Sequence, residues 1–152
     1  MKSGLRIFAV STLALALAAS GVAVQGAEPI KTKSGEIGAA AAGKGQIVFY
    51  RPGSIMGAAL GCTVHEGDRE VARLGSGKYF VITTEVGKHA YFTRGQAADT
   101  LNLEVEADET YFVKCKIGSG TISGAAQLEP SDRDSFLKKA KGSSLWKGPA
   151  AG

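Results

Sequence analysis

Leu101-Asn102-Leu103-Glu104-Val105-Glu106, then Ala107-Asp108-Glu109, then Thr110-Tyr111-Phe112-Val113-Lys114-Cys115-Lys116-Ile117, reads as strand, turn, strand. Apolar and polar residues alternate strictly in the first segment. That period of two puts Leu101, Leu103 and Val105 on a packed face and Asn102, Glu104 and Glu106 on a wet one. The same count in the last segment groups Tyr111, Val113, Cys115 and Ile117. Half-buried strands of this kind need further strands to cover them, so the unit predicts a sheet protein.

Working outward, the same texture of short apolar and β-branched runs cut by Gly, Asp and Pro predicts strands at 46–50, 58–65, 69–74, 79–86, 89–93, 100–106, 110–117 and 122–128. Eight short strands fit an all-β sandwich. Glu66-Gly67-Asp68, Ser76-Gly77, Gly87-Lys88 and Ala107-Asp108-Glu109 supply the turns between successive strands. Links this short predict antiparallel neighbours, since a parallel pair needs a crossover of a dozen residues or more.

Only two cysteines occur. Alternation puts Leu60, Cys62 and Val64 on one face, so Cys62 and Cys115 share an inward register and a disulfide between their strands is expected. Two reduced core cysteines are the competing reading.

The flanks read differently. Residues 1–27 have the three parts of a secretory signal: Lys2 and Arg6, an apolar run from Ile7 to Ala19, and small residues with a cut expected between Ser20 and Ala27. An uncleaved anchor is the alternative; no stable membrane span is expected after cleavage. Residues 28–45, Gly-rich with an alanine run at 39–42, read as a flexible linker ahead of a β domain at 46–129. A short helix through the alanines competes with that. Residues 130–152 read as a short helix and a basic tail: Ser131 as cap, Asp132 and Asp134 at the positive end of the dipole, Phe136, Leu137 and Ala140 as the apolar side. The helix is expected to dock on the sandwich, while Trp146, near Lys141 and Lys147, suits a lipid interface or a partner surface.

The formal charge of +4 has no focus in the β domain. Lys2 and Arg6 belong to the expected leader, and residues 44–129 hold nine basic and ten acidic side chains. No basic stripe interleaved with aromatics is present, which argues against nucleic acid as a partner.

Catalytic patterns are missing: no nucleophile elbow, no His-Glu-x-x-His, no phosphate loop opening a helix and no Cys-x-x-Cys. A non-enzyme with no cofactor and no catalytic residue is expected. His65, beside Glu66 and Asp68, and His89 lack metal-ligand spacing, so no metal site is expected either. Pro52 ends the first strand of the β domain, and Arg51 before it reads as a solvated strand end or, preferred, as a structural clasp that holds a carboxylate from a neighbouring strand.

Ile47-Val48-Phe49-Tyr50-Arg51-Pro52, Glu66-Gly67-Asp68, Val71-Ala72-Arg73-Leu74 before Lys78-Tyr79-Phe80, Val86-Gly87-Lys88-His89 and Glu109-Thr110-Tyr111-Phe112-Val113 form a set. By these motifs, residues 45–117 resemble a family of short bacterial envelope domains of unknown function, periplasmic or lipoprotein, with a Tyr-Arg-Pro first-strand motif. The resemblance implies an immunoglobulin-like or carboxypeptidase-regulatory-like sandwich with no catalytic residues attached. The chain departs from lipoprotein members in having no Cys near the leader. A periplasmic or secreted, non-catalytic module that binds an envelope protein is therefore the leading expectation, with Arg51, Tyr50, Tyr91, Phe92 and Trp146 as binding or structural candidates. A glycan or peptidoglycan binder using exposed rings among Tyr50, Tyr79, Tyr91, Phe92 and Phe112 is the alternative. An inhibitor of an envelope hydrolase is the third.

Overall fold

The computed structural model describes residues 28–55, 57–94, 100–118, 125–140 and 142–147. The expected signal peptide, residues 1–27, and the start of the last expected strand, at Ile122, lie outside these residues. In chain order the elements are β1 (Ile30–Thr32), β2 (Gly35–Ile37), β3 (Gly45–Arg51), β4 (Cys62–Glu66), β5 (Arg69–Leu74), β6 (Lys78–Thr84), β7 (Gly87–Thr93), β8 (Thr100–Val105), β9 (Thr110–Ile117), β10 (Ala126–Ser131), α1 (Arg133–Ala140) and β11 (Ser144–Leu145). A five-stranded sheet in the order β10-β9-β3-β6-β11 packs on a four-stranded sheet in the order β5-β4-β7-β8. The result is an all-β sandwich with one short C-terminal helix.

The connections correct the expectation of antiparallel neighbours throughout. Gly67, at φ 57°, turns β4 back on β5 as a true hairpin. The equally short links from β5 to β6, β6 to β7 and β8 to β9 instead carry the chain from one sheet to the other. An arch between facing sheets and a hairpin need similar turn residues, so the turn alone does not distinguish them. As a consequence β3 and β9 run parallel, from Gln46 opposite Thr110 to Tyr50 opposite Lys114, and the crossover that such a pair requires is the run of strands β4 to β8. β11 is also parallel to β6, through Ser144 and Leu145.

Every residue of β3 is buried, because the five-stranded sheet is covered on both sides. Ile47 and Phe49 belong to the core between the sheets with Cys62, Val64, Leu74, Tyr91, Val113 and Cys115. Val48 and Tyr50 belong to a second core, with Ile30, Ile37, Tyr79, Phe112, Phe136 and Ala140, beneath α1 and the β1–β2 hairpin. Cys62 and Cys115 form a disulfide that ties β4 to β9, hence one sheet to the other. By loop-closure entropy such a bridge contributes about 4 kcal/mol.

Residues 28–45 are therefore more than a flexible linker. Ile30 faces Ile37 across the hairpin, both buried, and the Thr32 hydroxyl lies 2.8 Å from the Tyr79 hydroxyl. Residues 39–42 form no helix. The helix cap also differs from expectation: Asp132, not Ser131, receives the Ser135 amide at 2.8 Å. Ser131 is still in β10, opposite Phe112, and its hydroxyl lies 2.6 Å from that of Tyr50. Phe136 fills the outer core, edge-on to Tyr50 and Tyr79 with ring centroids at 5.1 and 5.9 Å. The strand expected at 58–65 starts only at Cys62, and Leu60 is exposed instead of inward.

Candidate functional site

The sequence stops β3 at Pro52, which has no amide hydrogen to continue a ladder. β9, paired with β3 up to Lys114, runs on through Cys115, Lys116 and Ile117 with only β10 beside it. In the space that β3 leaves lies a cleft of about 320 Å³, lined by Arg51, Pro52 and Ser54 on one side, residues 114–117 on the other, and Lys139 of α1.

Arg51 organises the rim of this cleft. Its side chain is buried, and its guanidinium donates to the carbonyls of Gly57 and Leu60. Its partners are main-chain carbonyls of the following loop, where the sequence reading expects a carboxylate from a neighbouring strand. Desolvation by burial lowers its pKa from the ordinary value. Ser54, among the described residues of the same loop, is held as well: its amide donates to the Ser76 hydroxyl at 2.8 Å, which donates back to the Ser54 carbonyl at 3.0 Å. Gly57 sits at φ 71°, a left-handed conformation that a side chain would strain. From this braced loop Ile55 projects with 98% of its surface exposed, and Leu60 in the same loop is exposed too.

The far wall of the cleft is basic. Lys114 pairs with Glu129 at 2.8 Å and Lys116 with the same carboxylate at 3.7 Å. The hydrogen bond between them, ahead of desolvation, raises the pKa of Lys114 and lowers that of Glu129.

A second cluster lies where β4 and β7 of the four-stranded sheet meet the end of β6. His89 Nδ1 is 2.6 Å from Glu66 Oε1, its Nε2 is 2.9 Å from the Glu85 carbonyl, and the Thr84 hydroxyl lies farther off at 3.4 Å. Hydroxyl, imidazole and carboxylate in this order resemble a nucleophile, base and orienter. The Glu85 carbonyl can only accept, so Nε2 must carry a proton to bond to it and has no lone pair for Thr84. The cluster is built as a latch between β4 and β7, with Glu66 also bound to Arg69 at 2.6 Å. Burial raises the Glu66 pKa, but the bonds from His89 and Arg69 outweigh it and leave it lowered. Burial foremost pushes the Tyr91 hydroxyl up to about 12.

Of the binding or structural candidates read from the sequence, Arg51 alone reaches the cleft, beside the disulfide residue Cys115. Tyr50 and Tyr91 are fully buried, one in each core. Phe92 is half-buried and stacks on His65 at 5.6 Å. Trp146 is half-buried edge-on to Phe80 at 5.1 Å, with its amide bonded to the Tyr79 carbonyl at 2.8 Å. Sequence reasoning missed Ile55, Lys114, Lys116 and Lys139. The one available signal was the alternation of Lys114 and Lys116 about Cys115, which puts both on the face opposite the disulfide.

A family model described as "Protein of unknown function (DUF2846)" matches residues 41–127. The chain belongs to this family. The DUF2846 match takes in β3 through β9, both cysteines, Arg51 and the braced loop, and leaves α1, Lys139 and Trp146 beyond its end. No curated protein and no solved structure matches the chain.

Proposed function

We propose that this protein is an exported, non-catalytic module of the cell envelope that binds another protein through the loop of residues 52–61. The observation that carries the reading is Ile55, 98% exposed at the tip of a loop that Arg51 and Ser76 hold in shape. A loop ordered before binding loses less entropy on docking, and an exposed apolar side chain on it gains by desolvation. Export is supported by the signal pattern of residues 1–27 and by the disulfide, which belongs to oxidising compartments.

A photo-crosslinking amino acid at position 55, compared with one at the exposed Val86 in the β6–β7 link, tests the reading in intact cells. A discrete protein adduct from position 55 and none from position 86 is expected. The same adducts from both positions, or none from 55, would overturn it.

The same loop favours inhibition of an envelope hydrolase as the second reading, since a projecting loop tied down at Ser54, Gly57 and Leu60 suits insertion into an enzyme cleft. Inhibition of lysozyme that Ile55→Asp abolishes would support it. The glycan reading needs exposed rings; Tyr50, Tyr79, Tyr91 and Phe112 are buried, and Phe92 is half-buried against His65.

A further inference from the structure

The charge in the cleft beside β9 is more than docking at Ile55 requires. Arg51 is 3% exposed, yet both of its partners are neutral carbonyls, and among the described residues no carboxylate lies within 4.0 Å of it. Buried charges are ordinarily compensated by an opposite charge. Lys114 and Lys116 share the single carboxylate of Glu129, while Lys139 has no acidic partner among the described residues. Four cations against one carboxylate leave the cleft strongly positive.

We propose that this cleft is a binding site for a small oxyanion bearing two negative charges, a phosphate group or a pair of carboxylates. Arg51 commits two N–H groups to the loop and has three more, a planar donor set that suits an oxyanion; the lysines add mobile point charges around it. A volume of about 320 Å³ admits such a group and leaves it open to solvent on one side. Occupancy would also complete the bracing of the loop, because the anion and the loop carbonyls share the same guanidinium. The inference does not depend on the protein-docking reading, since anion binding needs no partner present.

Calorimetric titration of the oxidised protein at low ionic strength, with inorganic phosphate and separately with succinate, is the test. Saturable binding of one anion is expected, and which of the two binds distinguishes phosphate from dicarboxylate. Affinity should fall about tenfold or more in Lys116→Gln/Lys139→Gln, both on exposed side chains, rise in Glu129→Gln, and hold in Lys88→Gln on β7. Arg51→Lys should weaken binding as well, although it also touches the loop. No saturable binding of either anion, or binding that Lys116→Gln/Lys139→Gln leaves unchanged, would overturn the proposal.

Discussion

Gly45 lies so close to Val105 that a Cβ on it would fall 2.0 Å from the Val105 Cγ1 and 3.3 Å from the Glu106 carbonyl oxygen. The first residue of β3 is thus pinned against the last residue of β8, where the two sheets meet. Gly45→Ala should destabilise by about 1–3 kcal/mol through overpacking, and Val105→Ala in the same chain should recover part of that loss, because it removes the colliding methyl. Chemical denaturation of the three variants checks this.

The bridge between Cys62 and Cys115 joins strands of opposite sheets across 53 positions of chain. Its removal as Cys62→Ala/Cys115→Ala should cost about 4 kcal/mol, somewhat less if the denatured chain stays compact. Urea melts of the variant against the oxidised parent measure it directly.

Arg51→Met keeps the aliphatic stem of the residue but removes the guanidinium from the carbonyls of Leu60 and Gly57, the latter keeping only the Leu60 amide. Stability should fall by about 1.5–3 kcal/mol, the range for hydrogen bonds to a charged group. The Leu60 amide, which donates to the Gly57 carbonyl at 3.0 Å, should exchange its hydrogen faster, while amides in the centre of β9 keep their order of protection.

Glu66 has its pKa lowered below the ordinary 4.5, so the folded state binds its proton less readily than the unfolded state does. Its contribution is complete above the unfolded carboxylate range and disappears as pH falls through the folded value. Glu66→Gln should therefore flatten the acid limb of the stability curve and lower the plateau near neutral pH. Thermal melts from neutral to acid pH would reveal it, with the Glu129→Gln variant giving a smaller change of the same sign at the surface.

Strand positions were legible because each carries its own record: Leu101, Leu103 and Val105 alternate with polar residues, and Gly67 supplies a positive φ where β4 turns into β5. Which strands pair was not. Ser76-Gly77 and Glu66-Gly67-Asp68 look alike locally, yet one arches between sheets and the other closes a hairpin. The β1–β2 hairpin escaped notice because its apolar content is essentially Ile30 and Ile37, and its order comes from docking on Tyr79 and the outer core. In the site, Arg51 and Pro52 stood out by chemistry. Lys114 and Lys116 read as an ordinary solvated face, and Lys139 joins them only through the packing of Phe136 on Tyr50.

The parallel pairing of β3 with β9 has a consequence in time. A chain emerging from its N-terminus presents β3 long before β9, but the neighbour of Gln46 is Thr110 and that of Tyr50 is Lys114. Until those residues are out, the fully buried β3 has one flank open, and Cys62 has no thiol to meet. Contacts this distant in sequence close late and slowly. The central sheet therefore cannot be closed piecemeal during synthesis; β3 gains its second neighbour only when most of the domain is already available.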